Sequence, residues 1–165
     1  MAFLKATDAF RRADELELNW CRQSIAWCRR SGLVPFFRVI SRLGDGALWY
    51  GLMAAITLYH PQIGLLFVLT GLTFTLTYKS LKHSLVRERP FITHESITSE
   101  APVLDRYSFP SGHTLHAVGF TVLLAASFPV LALGVLPFTL LVAVSRVVLG
   151  LHYPTDVLAG ALIGL

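Results

Sequence analysis

Two stretches of this chain contain no Asp, Glu, Lys or Arg: residues 46–78, 33 in all, and residues 107–145, 39 in all. Few folds tolerate that. A soluble domain usually carries about 25% charged residues, whereas here the figure is 15%, with 54% hydrophobic residues and a mean hydropathy of +0.60. As one helix, 33 residues would extend about 50 Å, well beyond a hydrocarbon core of roughly 30 Å. Each run must therefore be divided. His60-Pro61 divides the first and Pro129 the second, because proline cannot continue a helix from its N-terminal side. The expected spans are one ending near Tyr59, with a start near Pro35, then 62–81, 111–128 and 130–149. A last apolar segment begins at Pro154 and is too short to cross a bilayer by Leu165. The expectation is an all-α, polytopic membrane helical bundle of about five to six membrane helices.

Residues 1–35 have a different character. Phe3, Leu4, Phe10, Leu16, Trp20, Ile25 and Trp27 are interleaved with Arg11, Arg12, Asp14, Glu15, Glu17, Arg22, Arg29 and Arg30. That mixture predicts an amphipathic helix lying in the membrane interface. Residues 36–165 then form the transmembrane core of a single domain. On a helix Cys21 and Cys28 stand about 10.5 Å apart along the axis, too far for a disulfide. The net charge of +4 is not gathered into a basic patch interleaved with aromatics, so no nucleic-acid partner is expected. Anionic lipid head groups or a phosphate ligand account for the cations better.

Polar residues concentrate at three span ends. In KHSLVRERP, Lys82 and Arg89 are seven apart and would share a helix face, with Pro90 favouring a helix end at Arg89. In FPSGH, Ser111 is placed to cap a helix whose N-terminus attracts anions, Gly112 admits close approach to the backbone, and His113 falls in the first turn. In SRVVLGLHYPTD, Arg146 ends a span and Pro154 opens a helix with Asp156 in its first turn. There Asp156 can accept a hydrogen bond from one ring nitrogen of His152 and leave the other free to attack. Each stretch alone allows a bland reading: lipid-phosphate contacts, an ordinary capped helix, a structural His–Asp pair. Alternating spans bring all three to one side of the membrane. Three cations, a helix N-terminus and two histidines describe a phosphate pocket, and no metal-ligand pattern is present.

Together the stretches resemble the signature of the type 2 phosphatidic acid phosphatase superfamily, K-x6-R-P, P-S-G-H and S-R-x5-H-x3-D, here Lys82 to Pro90, Pro110 to His113 and Ser145 to Asp156. Gly150 also falls where the family has glycine, and SRLGDG, residues 41–46, resembles a run of small bacterial members. The resemblance implies a membrane lipid phosphatase. His152 would be a nucleophile forming phosphohistidine, with Asp156 as its orienter and His113 as the general acid. Lys82, Arg89, Ser111, Gly112 and Arg146 would bind the phosphate. It implies no metal or other cofactor and no obligate protein partner. It also implies a bacterial inner membrane with the site at the periplasmic face. Undecaprenyl diphosphate is the favoured substrate, with phosphatidylglycerol phosphate, phosphatidic acid and lipid A as others. A lipid-to-lipid phosphotransferase remains open. A vanadate-dependent haloperoxidase shares the pocket, but such enzymes are soluble and larger.

Overall fold

Proline and short polar turns cut the apolar sequence into helices. The computed structural model describes residues 2–103 and 105–165, with side-chain surroundings from residue 15 onward. The described residues form eight α-helices: α1 (Ala2–Arg30), α2 (Val34–Arg42), α3 (Leu48–Tyr59), α4 (Pro61–Leu85), α5 (Pro90–Thr93), α6 (Gly112–Ser127), α7 (Pro129–Val148) and α8 (Pro154–Gly164). A π-helical turn, Leu43–Ala47, joins α2 to α3. Proline stands in the first turn of α2, α4, α5, α7 and α8, where its missing N–H costs no hydrogen bond.

The divisions at His60 and Phe128 produce two tight helix-to-helix turns, and the rings of those residues pack 5.2 Å apart at one end of the bundle. The C-termini of α4 and α7 and the N-termini of α3, α6 and α8 consequently gather at the other end. Helix α6 is central and packs on both α7 and α8. Trp49, Phe67 and Phe120 fill the middle, with Phe120 5.4 Å from Trp49 and 5.8 Å from Phe67, ring to ring. The close approach of α8 to α6 depends on Gly160, where a Cβ would lie 2.5 Å from the Ser111 carbonyl oxygen. Helices α4 and α7 are long and apolar enough to cross a membrane. Only 11% and 28% of their apolar windows are buried, so they are not the core helices of a soluble globule.

Helix α1 lies across the site end. Cys21 and Ile25 are buried against Ile97 and Tyr153, while Leu16, Trp20 and Trp27 are exposed. Its arginines reach the polar connection between α5 and α6. Arg22 donates to Ser96 at 3.1 Å and Arg29 to Glu100 at 2.6 Å, and Arg38 of α2 joins Glu100 at 3.0 Å. The pattern expected over 1–14 concerns side chains outside those described. Both cysteines are free and buried.

Candidate functional site

The first polar stretch is not continuous helix. Helix α4 ends at Leu85, and Val86 takes a left-handed conformation. Arg89 is then extended, with φ −77° and ψ 155°, as expected for a residue before proline. The shared helix face expected for Lys82 and Arg89 is thus replaced by a chain reversal, and the helix stops four residues before Arg89. The two cations still meet, because both grip Asp105. Lys82 Nζ donates to both Asp105 carboxylate oxygens at 2.9 Å and to the Tyr107 carbonyl at 2.9 Å. Arg89 Nη2 donates to Asp105 Oδ1 at 2.8 Å and its Nε to the Asp105 carbonyl at 2.8 Å. Burial opposes ionisation of Asp105, but these hydrogen bonds outweigh it and hold its carboxyl below the usual range.

The second stretch places Ser111 at the N-cap of α6 in extended conformation without a side-chain cap bond. Its hydroxyl instead shares a hydrogen bond with Thr114 at 3.0 Å. The Ser111 N–H donates to the Asp156 carbonyl at 2.9 Å, which ties the second stretch to the third. His113, in the first turn of α6, points its Nε2 at Asp45 Oδ1 in a short hydrogen bond.

The third stretch leaves α7 through a turn in which Gly150 has φ +72°, a conformation glycine adopts without steric cost. A Cβ there would also meet the Thr98 carbonyl oxygen at 2.9 Å. The turn folds His152 back so that its N–H donates to the Arg146 carbonyl at 3.0 Å. His152 is 1% exposed. Arg89 Nη1 lies 3.2 Å from its Nε2 and donates to the Leu151 carbonyl at 2.8 Å. A guanidinium only donates, so His152 Nε2 accepts and the ring proton belongs on Nδ1. Burial first, then the charges of Arg89, Arg146 and Lys82, push the His152 pKa well below the ordinary histidine value.

The expected His152–Asp156 hydrogen bond is corrected by this geometry. Nδ1 is 3.6 Å from Asp156 Oδ2, beyond hydrogen-bond reach, and has no partner among the described residues. The reason is competition: Oδ2 accepts from the Tyr153 N–H at 2.9 Å, and Oδ1 from Arg87 Nη1 at 2.8 Å. Arg146 donates to the Ser41 hydroxyl, while its buried Nε has no partner among the described residues.

A cavity of about 530 Å³ joins these groups. Lys82, Arg89, Gly112, His113, Arg146 and His152 line its polar end, and Trp49, Met53, Val68, Leu72 and Phe120 its apolar remainder. Ser111 lies fully buried just behind Gly112. Asp156 stands behind His152 and is also fully buried. Among the described residues no three His, Cys, Asp or Glu side chains gather as metal ligands.

Residues 62–165 match the PAP2 superfamily. The chain belongs to that superfamily. PAP2 relatives include a decaprenylphosphoryl-5-phosphoribose phosphatase of Mycolicibacterium smegmatis, 36% identical over 79% of this chain and 73% of that protein. A lipid A 1-phosphatase of Rhizobium johnstonii is 31% identical over 84% of this chain and 58% of its own length. An undecaprenyl-diphosphatase of Sulfolobus acidocaldarius is 30% identical over 81% of this chain and 65% of its own. The chain thus spans less than two thirds of the length of the Rhizobium and Sulfolobus proteins. Among solved PAP2 structures, Aquifex aeolicus LpxE superposes with a TM-score of 0.79 at 27% identity, covering 90% of each chain. The transmembrane PAP2 type phosphatidylglycerolphosphate phosphatase of Bacillus subtilis does so with 0.77 at 26% identity, covering 93% of this chain and 81% of that one. The all-helical fold is that of PAP2 membrane phosphatases.

Three residues at this PAP2 site lie outside the signature. Asp45 sits on the π-helical turn, a common device at functional sites, and its signal in the sequence is a carboxylate between two glycines at a span start. Asp105 reads as part of a solvated loop until Lys82 and Arg89 are seen to converge on it. Arg87 lies inside the first stretch, two residues before Arg89. In extended chain that spacing aims both arginines to one side, while Glu88 faces away and pairs with Arg106.

Proposed function

We propose that this chain is an integral membrane lipid phosphatase that hydrolyses a phosphate monoester or diphosphate through a phosphohistidine on His152. One observation carries the reading: a buried histidine, its Nε2 facing Arg89, lines a largely apolar cavity together with Lys82, Arg89 and Arg146. The single domain has an interfacial α1 and a membrane core from residue 36 onward. Taking α2 with α3 as one segment, adding α4, α6 and α7, and inserting α8 gives five membrane-inserted segments, or six with α2 and α3 taken apart.

A lipid phosphate lies with its tail along Met53, Val68 and Leu72 and its head among Lys82, Arg89 and Arg146. Ser111 and the Gly112 backbone N–H complete the cradle at the start of α6. His152 Nε2 attacks phosphorus, a P–N bond forms, and the bond to the leaving oxygen breaks. His113 protonates that oxygen. With its Nε2–H held by Asp45, His113 acts as the imidazolium and gives up the proton on Nδ1. Water then attacks the phosphohistidine, His113 takes its proton, and inorganic phosphate leaves with His152 restored. Three fixed cations stabilise the charge spread over the equatorial oxygens, so the reaction proceeds without a metal.

Undecaprenyl diphosphate, converted to undecaprenyl phosphate, is the favoured substrate. The SRLGDG run and the polyprenyl substrates in the names of two relatives support it. The setting is the bacterial inner membrane, with the site end outward. The test is phosphate release by the purified protein from undecaprenyl diphosphate, phosphatidylglycerol phosphate, phosphatidic acid and lipid A, with and without EDTA. Undecaprenyl diphosphate should be turned over fastest, unaffected by EDTA. Recovery of the phosphate on an added acceptor lipid instead of in water would make the protein a phosphotransferase, and loss of activity in EDTA would overturn the metal-free mechanism.

A further inference from the structure

Behind His152 lies a second layer of charge that the signature does not include. Arg87 spans it. Its Nη1 donates to Asp156 Oδ1 at 2.8 Å and to the Thr155 hydroxyl at 2.7 Å. Its Nη2 donates to Glu17 Oε2 at 2.7 Å, and its guanidinium lies over the Tyr153 ring, 4.1 Å from the centroid. Glu17 Oε1 in turn accepts the Thr155 N–H at 2.7 Å and its hydroxyl. Glu17 comes from α1 and Arg87 from the strand-like segment after α4. Thr155 and Asp156 come from the first turn of α8. Three separate parts of the chain are therefore locked on one guanidinium.

The consequence concerns Asp156. With no exposed surface, it has two oxygens to dispose of. Arg87 occupies Oδ1, and the Tyr153 N–H fixes Oδ2 in the capping box of α8. Oδ2 is left 3.6 Å from His152 Nδ1. The arginine, together with the Tyr153 N–H, thus fixes which oxygen faces the imidazole and at what angle. Without it, a buried carboxylate could turn about its χ2 torsion, which is broad for Asp, and Asp156 would lose the cation that offsets its burial.

We propose that Arg87 is a positioning residue for the His152–Asp156 pair, and that Glu17 extends this control to α1, making the N-terminal helix part of the catalytic apparatus. The neighbouring side chains on α1, Leu16 and Trp20, are exposed at 59% and 60%. One face of α1 is therefore available to the membrane interface while Glu17 holds the catalytic carboxylate's partner. This inference rests on the phosphohistidine reading, because it assigns Asp156 the task of orienting a nucleophile.

The experiment measures phosphate release from whichever of the four lipid phosphates the wild-type protein turns over fastest, in full-length protein, with thermal unfolding as a check of folding. Arg87→Gln should lower kcat about 100-fold, the scale of a misplacement of roughly 1 Å in the reacting group, with KM within threefold of wild type. Arg87→Lys should recover part of the rate, and Glu17→Gln should lower kcat about tenfold by loosening the same arginine. The deciding comparison is made in an Asp156→Asn background. If Arg87 acts through Asp156, adding Arg87→Gln there should cost little more, because residues that act as a unit are non-additive. Equal losses in both backgrounds, or a loss in KM alone, would overturn the proposal. The His152→Ala protein is assayed alongside. If it retains turnover, the phosphohistidine reading fails by itself. If it is inactive while Arg87→Gln keeps wild-type kcat, only the coupling through Arg87 fails.

Discussion

Arg89 and His152 meet at 3.2 Å, the guanidinium donating to Nε2 of the imidazole. The contact assigns the ring's single proton to Nδ1, on the side of Asp156, and engages the Nε2 lone pair, which is freed for attack on phosphorus when Arg89 turns to the substrate. Arg89 serves two functions in the proposed cycle. It holds the resting tautomer, and it transfers its donors to phosphoryl oxygens when substrate enters.

Replacing His152 with Ala should abolish turnover while the protein still folds. The expected loss is about 1,000-fold or more, as for other nucleophiles whose removal leaves only binding and electrostatic contributions. Acid-quenched wild-type enzyme should carry acid-labile phosphate, and the variant none. Residual activity above a few per cent would remove His152 from the nucleophile role.

The depressed pKa of His152 predicts a pH dependence of stability. The folded protein takes up this proton at lower pH than the unfolded chain, whose histidine titrates near 6.5. Stability referred to this group is complete above that value and is lost as pH falls through the folded pKa, by up to about 1.4 kcal/mol per pH unit. Between pH 7.5 and 5 the unfolding temperature of wild type should fall more steeply than that of His152→Gln. Parallel slopes would show that His152 is not held neutral.

Asp45→Asn should reduce kcat by about 100-fold, at the lower end of the range attributed to proton transfer in catalysis. The loss should depend on the leaving group. An aryl phosphate, whose phenolate needs little protonation, should be spared relative to a lipid alkyl phosphate. Equal losses on both would mean that Asp45 supports the shape of the cavity and not proton donation by His113.

Asp105 occupies donors of Lys82 and Arg89 that a phosphate would use. Asp105→Asn should therefore tighten inhibition by inorganic phosphate several-fold, while lowering the unfolding temperature because two buried cations lose their counter-charge. The carboxyl lies below its usual range, so its stabilising effect is present above about pH 4 and is lost as pH falls through the folded value. The difference between variant and wild type should shrink towards that pH. Weaker phosphate inhibition in the variant would instead make Asp105 a support for the anion site.

What the sequence revealed was local. Pro61, Pro129 and Pro154 mark helix starts in the structure because proline restricts the residue before it wherever it occurs. The residues of the three stretches converge because alternating spans return to one side. What stayed hidden depends on partners distant in sequence. Asp105 and Glu17 carry no local pattern and Asp45 only its two flanking glycines, and their importance appears only when Lys82, Arg87 and His113 reach them. The His152–Asp156 spacing also read as a simple hydrogen bond, since nothing nearby shows that Arg87 and the Tyr153 N–H hold both oxygens.

The orientation of the site end can be tested with one added cysteine. Burial, reinforced by the nearby charges of Glu17 and Asp156, pushes the Cys21 thiol up to about 12, and both Cys21 and Cys28 have no exposed surface. A buried thiol that stays protonated does not react with a maleimide. Wild-type protein in intact cells should thus remain unlabelled by an impermeant maleimide without removal of either cysteine. Glu95 is exposed on the connection between α5 and α6, so Glu95→Cys should label from outside if the site faces outward, and its labelling should be blocked by prior impermeant reagent. Labelling only after the membrane is permeabilised would place the site on the cytoplasmic side. Substrate would then have to be presented from the inner leaflet.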